Sequence, residues 1–225
     1  MTSRTASTLL RLHDAMLEHF GPQGWWPGDS PFEIIVGAVL TQNTNWTNVI
    51  KAIDRIKAAG RLSLDGLLAL SHEQLAELIR PAGYYNIKAR RLRNLLTWID
   101  QTCSGDLDAL FARRTAGLRE DLLAVRGVGR ETADSILLYA GGHATFVVDA
   151  YTFRILRRHR LIDADADYEQ IREFFESNLP RDVGLYNEYH ALIVRTGKEH
   201  CRPRARCAGC PLDRFEHDAE VGPYD

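Results

Sequence analysis

Residues 122–140 read LLAVRGVGRETADSILLYA, and the fold turns on how they are understood. Leu118, Leu122 and Val125 share a helical face before the turn, and Ala133, Ile136, Leu137 and Ala140 recur at i, i+3, i+4 and i+7 after it. Gly127 and Gly129 permit positive φ and let the backbone come close to another molecule. The N–H groups opening the second helix form a natural anion site. The stretch therefore predicts a helix-hairpin-helix able to hold a DNA phosphate without reading sequence. Many helix pairs turn on glycine, so a plain structural hairpin is the competing reading. Glu131, directly after the turn, is an acid where a phosphate grip would avoid one. It either complements the helix dipole or has a task of its own.

Outward from the hairpin, the periodicity is helical almost throughout. The run 30–59, SPFEIIVGAVLTQNTNWTNVIKAIDRIKAA, opens on a serine-proline signal and is apolar at Ile35, Val39, Val49, Ile53 and Ile56. Ser71 is the expected N-cap of SHEQLAELIRPAG, which stops at Pro81 and Gly83. Leu92, Leu95, Leu96 and Ile99 form one stripe, and residues 167–179 and 186–201 continue the pattern. Only ATFVV, 144–148, has strand-like composition, and it is too short to build a sheet. The expected class is all-α, a compact bundle of around ten short helices. With 225 residues, 45% of them hydrophobic, the chain can build one large core or two small ones. No apolar run approaches the roughly 20 residues that cross a bilayer, and the polar N-terminus lacks a signal-peptide core. A soluble, cytoplasmic, membrane-free protein is expected.

Net charge is −2, so overall charge does not advertise nucleic-acid binding. Lysine occurs only at positions 51, 57, 88 and 198, and arginine carries most of the positive charge. It collects in KARRLR (88–93), FRILRRHR (153–160) and RTGKEHCRPRAR (195–206), which could form one basic face or three solvated helix faces. Cys201, Cys207 and Cys210 lie within ten residues, and metal ligation is the leading reading without secretion.

Asp149, in VVDAYTFR, follows Glu131 by eighteen positions (149 − 131 = 18). GVGRETA, VVDAYTFR and the late cysteine group, in this order and spacing, resemble the helix-hairpin-helix DNA glycosylase superfamily, specifically its endonuclease III branch. GAVLTQNTNW, IRPAGYYNIKARRL and GRETADSILLYA look like its subgroup of endonuclease III-like 3-methyladenine glycosylases. The resemblance implies a two-lobed helical glycosylase fold with a C-terminal iron–sulfur-type cysteine loop. It divides the chain into a central helical barrel domain, 29–148, with the hairpin at about 118–140, and a second helical domain, 1–28 plus 149–225, with the loop at 201–217.

In that family the carboxylate at the position of Asp149 is essential, and bifunctional members carry a Schiff-base lysine where this chain has Glu131. The chemistry agrees. Departure of a base develops oxocarbenium character on the deoxyribose, which a carboxylate stabilises while positioning a water, whereas glutamate forms no Schiff base. Asp149 read alone is also a good cap for a helix starting at Ala150. The implied function is monofunctional base excision, with little or no AP lyase activity, on an alkylated purine in damaged double-stranded DNA. The alternatives are uracil, mispaired or oxidised bases, or a non-catalytic damage-binding module. A monomer in a prokaryotic, nucleoid-associated setting is expected.

The resemblance makes Gln42 the residue that enters the gap left by a flipped base, and places Gly127, Val128, Gly129 and Arg130 on DNA. It places base-pocket aromatics at Trp46 and in the Trp25–Trp26 pair, Trp25 or Trp26, and a pocket-lining lysine at Lys198; an electron-poor base gains from stacking on such rings. The competing reading is ordinary tryptophan packing. The cysteine group departs from the family pattern: the first gap is one residue shorter, and the fourth cysteine, near Glu216, is missing. His217 is the expected fourth ligand of a [4Fe–4S] cluster, with Asp213 and Glu216 as other candidates, zinc as Cys3His next, and no metal also open. Arg202, Arg204 and Arg206 are expected to point towards phosphates, and Cys103 to be a plain thiol in a loop.

Overall fold

The computed structural model describes residues 3–222. Among them twelve α-helices follow one another: α1 (Arg4–Phe20), α2 (Pro31–Leu40), α3 (Trp46–Ala58), α4 (Leu64–Leu68), α5 (His72–Leu78), α6 (Tyr85–Cys103), α7 (Leu107–Phe111), α8 (Thr115–Ala124), α9 (Arg130–Ser135), α10 (Ala150–Arg158), α11 (Tyr168–Asn178) and α12 (Val183–Glu199). A 3-10 turn, Arg80–Ala82, precedes α6, and α9 runs on as a π-helix, Ile136–Ala140. The described residues contain no strand and no helix long and apolar enough to cross a membrane. The chain forms two compact units, one of residues 26–143, the other of residues up to Trp25 with those from Ala144 onward.

The unit of residues 26–143 is built around α2. Every residue from Glu33 to Leu40 is buried, as expected of a helix that is apolar on all sides. The run 30–59 is two helices rather than one. Ser30 caps α2 with Pro31 at its first position; Asn43 then takes φ +50°, and the Asn45 side chain caps α3 by accepting from the Asn48 amide. Leu92, Leu95, Leu96 and Ile99 of α6 close the same core. Ser71 caps α5 in a full capping box with Gln74. Cys103 is not in a loop: it ends α6, half-buried, and its thiol donates to the Ile99 carbonyl at 3.2 Å.

The other unit packs α1 and α10 against α12. Phe146 stacks on Phe175 with ring centroids 3.8 Å apart, and Tyr186 and Tyr189 meet Phe146 edge to face. ATFVV is a buried irregular segment: Glu176 accepts from the Thr145 hydroxyl and the Phe146 amide, replacing what a neighbouring strand would supply. Gly197 of α12 admits Tyr151 of α10; a Cβ there would lie 2.3 Å from the Tyr151 ring.

Candidate functional site

The hairpin is a braced object. Arg119 of α8 grips Asp134 of α9 with two bonds, Nε to Oδ1 at 2.7 Å and Nη2 to Oδ2 at 3.0 Å, and the Asp134 side chain is fully buried. Of the two glycines only Gly127 has positive φ, +103°, and a Cβ on it would lie 2.4 Å from Cγ of Arg91. Gly129 has φ −96° and open space around its Cα. Val128 does not offer itself outward: its side chain is buried and its amide donates to the Val125 carbonyl at 3.0 Å. Gly129, Arg130 and Glu131 are exposed, with Glu131 in the first turn of α9. Gln42 is tied to the turn, its Nε2 donating to the Gly127 carbonyl at 3.1 Å and to Thr132 Oγ1 at 3.0 Å, while Arg91 donates to its Oε1 at 2.5 Å.

Trp26 and Trp46 come together in this unit with a third ring, Tyr139. Trp26 meets Trp46 at 5.0 Å and 89°, and Tyr139 at 5.1 Å and 46°. The contacts are edge-on and tilted rather than two parallel walls. Both tryptophans are half-buried, and a Cβ on Gly37 of α2 would lie 3.4 Å from Nε1 of Trp26. Trp25 belongs to the other unit, where the Lys198 ammonium lies 5.9 Å from its ring centre. Loss of water lowers the Lys198 pKa, and the charge of Asp149 pulls it the other way. Lys198, whose pKa the Asp149 charge affects, is remote from it in sequence.

Asp149 caps α10 in a capping box. Its Oδ1 accepts from the Thr152 amide at 2.7 Å and from Thr152 Oγ1 at 2.9 Å. Its Oδ2 lies 3.6 Å from Nε2 of His190 on α12. Burial pushes the carboxyl pKa up, but the facing His190 imidazole, with the two Thr152 donors, outweighs it and holds the group below the ordinary aspartate value. A buried, ionised carboxylate is thus built in. The capping and catalytic readings are compatible, since the cap is what fixes the group.

Cys201, Cys207 and Cys210 line one cavity together with His217. Donor atoms of Cys207, Asp213 and His217 lie within 4.8 Å of one another. His217 Nδ1 is bonded to the Phe215 carbonyl at 2.8 Å, which leaves Nε2 as the ligand atom, and that nitrogen lies 3.7 Å from Asp213. Burial raises the Cys207 pKa and pushes that of Cys210 up to about 11. Three cysteines and a histidine on one cavity form a donor set that fits a sulfur-rich metal centre, which binds thiolates. Arg158, nearly fully buried, donates to Cys201 Sγ at 3.2 Å and to the carbonyls of Arg202, Pro203 and Val221. Glu216 is not among the residues lining this cavity; its carboxylate lies 3.5 Å from Arg160.

One basic face does not form from all three clusters. Lys88 is buried, Arg93 donates to the Leu68 and Leu70 carbonyls, and Arg154 and Arg158 are buried against the cysteine loop. Arg202, Arg204 and Arg206 remain exposed.

Residues 36–181 match the model of the HhH-GPD superfamily of base excision DNA repair proteins. The chain belongs to that superfamily. This HhH-GPD protein is 45% identical over 208 residues to a Methanocaldococcus jannaschii protein provisionally named a DNA repair glycosylase, covering 92% of this chain and 94% of that one. H. pylori 3-methyladenine DNA glycosylase (MagIII), solved with 1,N6-ethenoadenine, aligns with TM-score 0.74 and 29% identity over 87% of this chain and 97% of its own. An endonuclease III trapped covalently on DNA shares the fold, with TM-score 0.79 and 23% identity over 94% of each chain.

Three side chains of this HhH-GPD chain escaped the reading of its sequence. Tyr139 hides in the apolar run ILLYA, and the π-helix changes which face it occupies. His190 is a lone histidine inside YHALIV, a pattern that reads as core. Tyr84 opens α6 at φ +46° with 68% of its surface exposed. A tyrosine just after a glycine signalled the turn, but not that its ring would stand in solvent.

Proposed function

We propose that this chain is a monofunctional DNA glycosylase of base excision repair, releasing an alkylated purine of the 3-methyladenine kind from damaged double-stranded DNA. The observation that carries the reading is Asp149, a buried carboxylate held ionised by donors from two helices. It stabilises the oxocarbenium charge as the base departs and orients a water at the sugar. The hairpin amides around Gly129 and Arg130 hold a phosphate, Gln42 enters the gap left by the flipped base, and the exposed Tyr84 ring is a second contact on the duplex. Trp25, Trp26 and Trp46 offer electron-rich rings to an electron-poor base, and similarity to MagIII supports an alkylated purine. Lys198 stands beside the first of these rings, its ammonium 5.9 Å from the Trp25 ring centre. Glu131 supplies no amine for a Schiff base, which is why lyase activity is absent from the proposal.

Cys201, Cys207, Cys210 and His217 would hold a [4Fe–4S] cluster. When bound, such a cluster supplies a one-electron centre that ties the loop together.

The test is a base-release assay over oligonucleotides carrying 3-methyladenine, 1,N6-ethenoadenine, uracil, thymine glycol, 8-oxoguanine and mismatches. Excision is expected for the alkylated purines, and Asp149→Asn is expected to lose roughly 100-fold or more of it. An Asp149→Asn protein as fast as wild type, or a panel in which only uracil or an oxidised base is released, would reject the corresponding part.

A further inference from the structure

Asp149 has two oxygens, and the capping box uses only one. Thr152 donates both its amide and its hydroxyl to Oδ1. Both donors come from the first turn of α10, so Oδ1 alone accounts for the cap. Oδ2 instead faces another helix: His190 Nε2 of α12 stands 3.6 Å away, and the two side chains are only 7% and 12% exposed, histidine first. A helix cap has no need of a second, buried, protonatable group brought from elsewhere in the fold. We infer that His190 is the positioning residue of the catalytic carboxylate, its Nε2–H edge fixing the Oδ2 atom that Thr152 leaves unheld. This rests on the role proposed above for Asp149.

The physical consequences are specific. With Oδ1 held from α10 and Oδ2 facing the His190 edge on α12, rotation about χ2 is opposed from both sides, and the charge is preorganised before the sugar becomes cationic. The contact is slightly longer than a hydrogen bond, as such contacts commonly are until substrate draws them in. Packing supports the pairing, since α10 sits on α12 where Gly197 admits the Tyr151 ring. The other titratable groups that feel Asp149 are Lys198 on α12 and Tyr151 on α10. From α1, His13 meets Tyr189 edge to face at 5.2 Å. His190 also ranks ahead of Thr152 among the groups that lower the Asp149 pKa against its burial.

The experiment is single-turnover excision by wild type, His190→Leu and His190→Gln from about pH 4.5 to about pH 8, with DNA affinity measured in parallel. For His190→Leu the rate is expected to fall on the order of 10-fold or more, with DNA affinity within about twofold of wild type. Its acid limb moves to higher pH, because a buried carboxylate that loses the imidazole beside it protonates more readily. His190→Gln keeps an N–H donor and recovers much of the rate. Equal loss at every pH with the acid limb in place would mean that His190 only fills space, and wild-type rates would mean that it does nothing; either overturns the inference. If His190→Leu does not fold, the carboxyl 13C signal of Asp149, assigned by its loss in Asp149→Asn, is titrated in wild type and His190→Gln. A higher midpoint in the variant supports positioning, and an unchanged one refutes it. Should Asp149→Asn itself excise normally, the carboxylate reading fails; should it be inactive while the acid limb ignores His190, only this inference fails.

Discussion

Lys88 is a cation with 1% of its surface exposed, held by the Leu40 carbonyl at 2.8 Å and the Ala82 carbonyl at 2.6 Å. It joins the C-terminal ends of α2 and the 3-10 turn, where carbonyl dipoles favour positive charge. Burial, with the nearby Arg91 charge, nevertheless lowers its pKa from 10.5 to about 8. Between those values the unfolded chain binds a proton that the folded chain does not, so unfolding free energy rises with pH across the window. The rise is on the order of 3 kcal/mol. Urea unfolding at about pH 7.5 and about pH 10 should show it in wild type, and Lys88→Met should lack it. At position 131 the expectation concerns chemistry. Borohydride treatment of the protein on damaged duplex should trap almost no covalent adduct, because glutamate has no amine to give. If an adduct forms, Lys198 is the amine to replace first, being the lysine whose charge couples to Asp149.

The two hairpin glycines separate fold from function. Gly127 is required by backbone and space together, with positive φ and the Arg91 side chain where a Cβ would go. Gly127→Ala should destabilise by roughly 1–3 kcal/mol, measured by urea unfolding. Gly129 has ordinary φ and no neighbour within 4 Å of a Cβ, so nothing within the fold demands glycine there. Gly129→Ala should leave stability within about 0.5 kcal/mol while weakening binding to duplex DNA several-fold, since its lack of a side chain serves what approaches from outside. Loss of stability without loss of affinity would reverse that assignment. Along the second helix, the change from α- to π-geometry after Ser135 places Tyr139 against Trp26. A 3.6-residue period does not foresee that placement, because the π-turn shifts the register by about one residue.

Across the whole molecule, the metal reading stands on three cysteines and one histidine drawn into a single cavity by a loop that Arg158 and Arg154 anchor. Protein purified without oxygen should carry iron and inorganic sulfide with visible charge-transfer absorption. Cys207→Ser should lose both and melt at least about 4 °C lower, a change of roughly 1–2 kcal/mol; colourless, metal-free protein of equal stability would refute the cluster. Much of this was legible in order along the chain. Helical periods of Leu92, Leu95, Leu96 and Ile99, the Ser71 cap and the Gly127 turn depend on neighbours within four residues, so the sequence by itself determined an all-helical chain with a glycine-turned hairpin. Family motifs likewise pointed to Asp149 and the cysteine group. The fates of the arginines and the partners of Asp149 were decided only by tertiary structure. Arg154 and Arg158 look like surface charge in FRILRRHR but lie buried on carbonyls and a sulfur contributed by residues more than forty positions away. His190 reaches Asp149 from forty-one positions away (190 − 149 = 41). Local sequence fixes dihedrals and faces, whereas desolvation and charge depend on which distant chain covers a group, and only folding brings that chain into place.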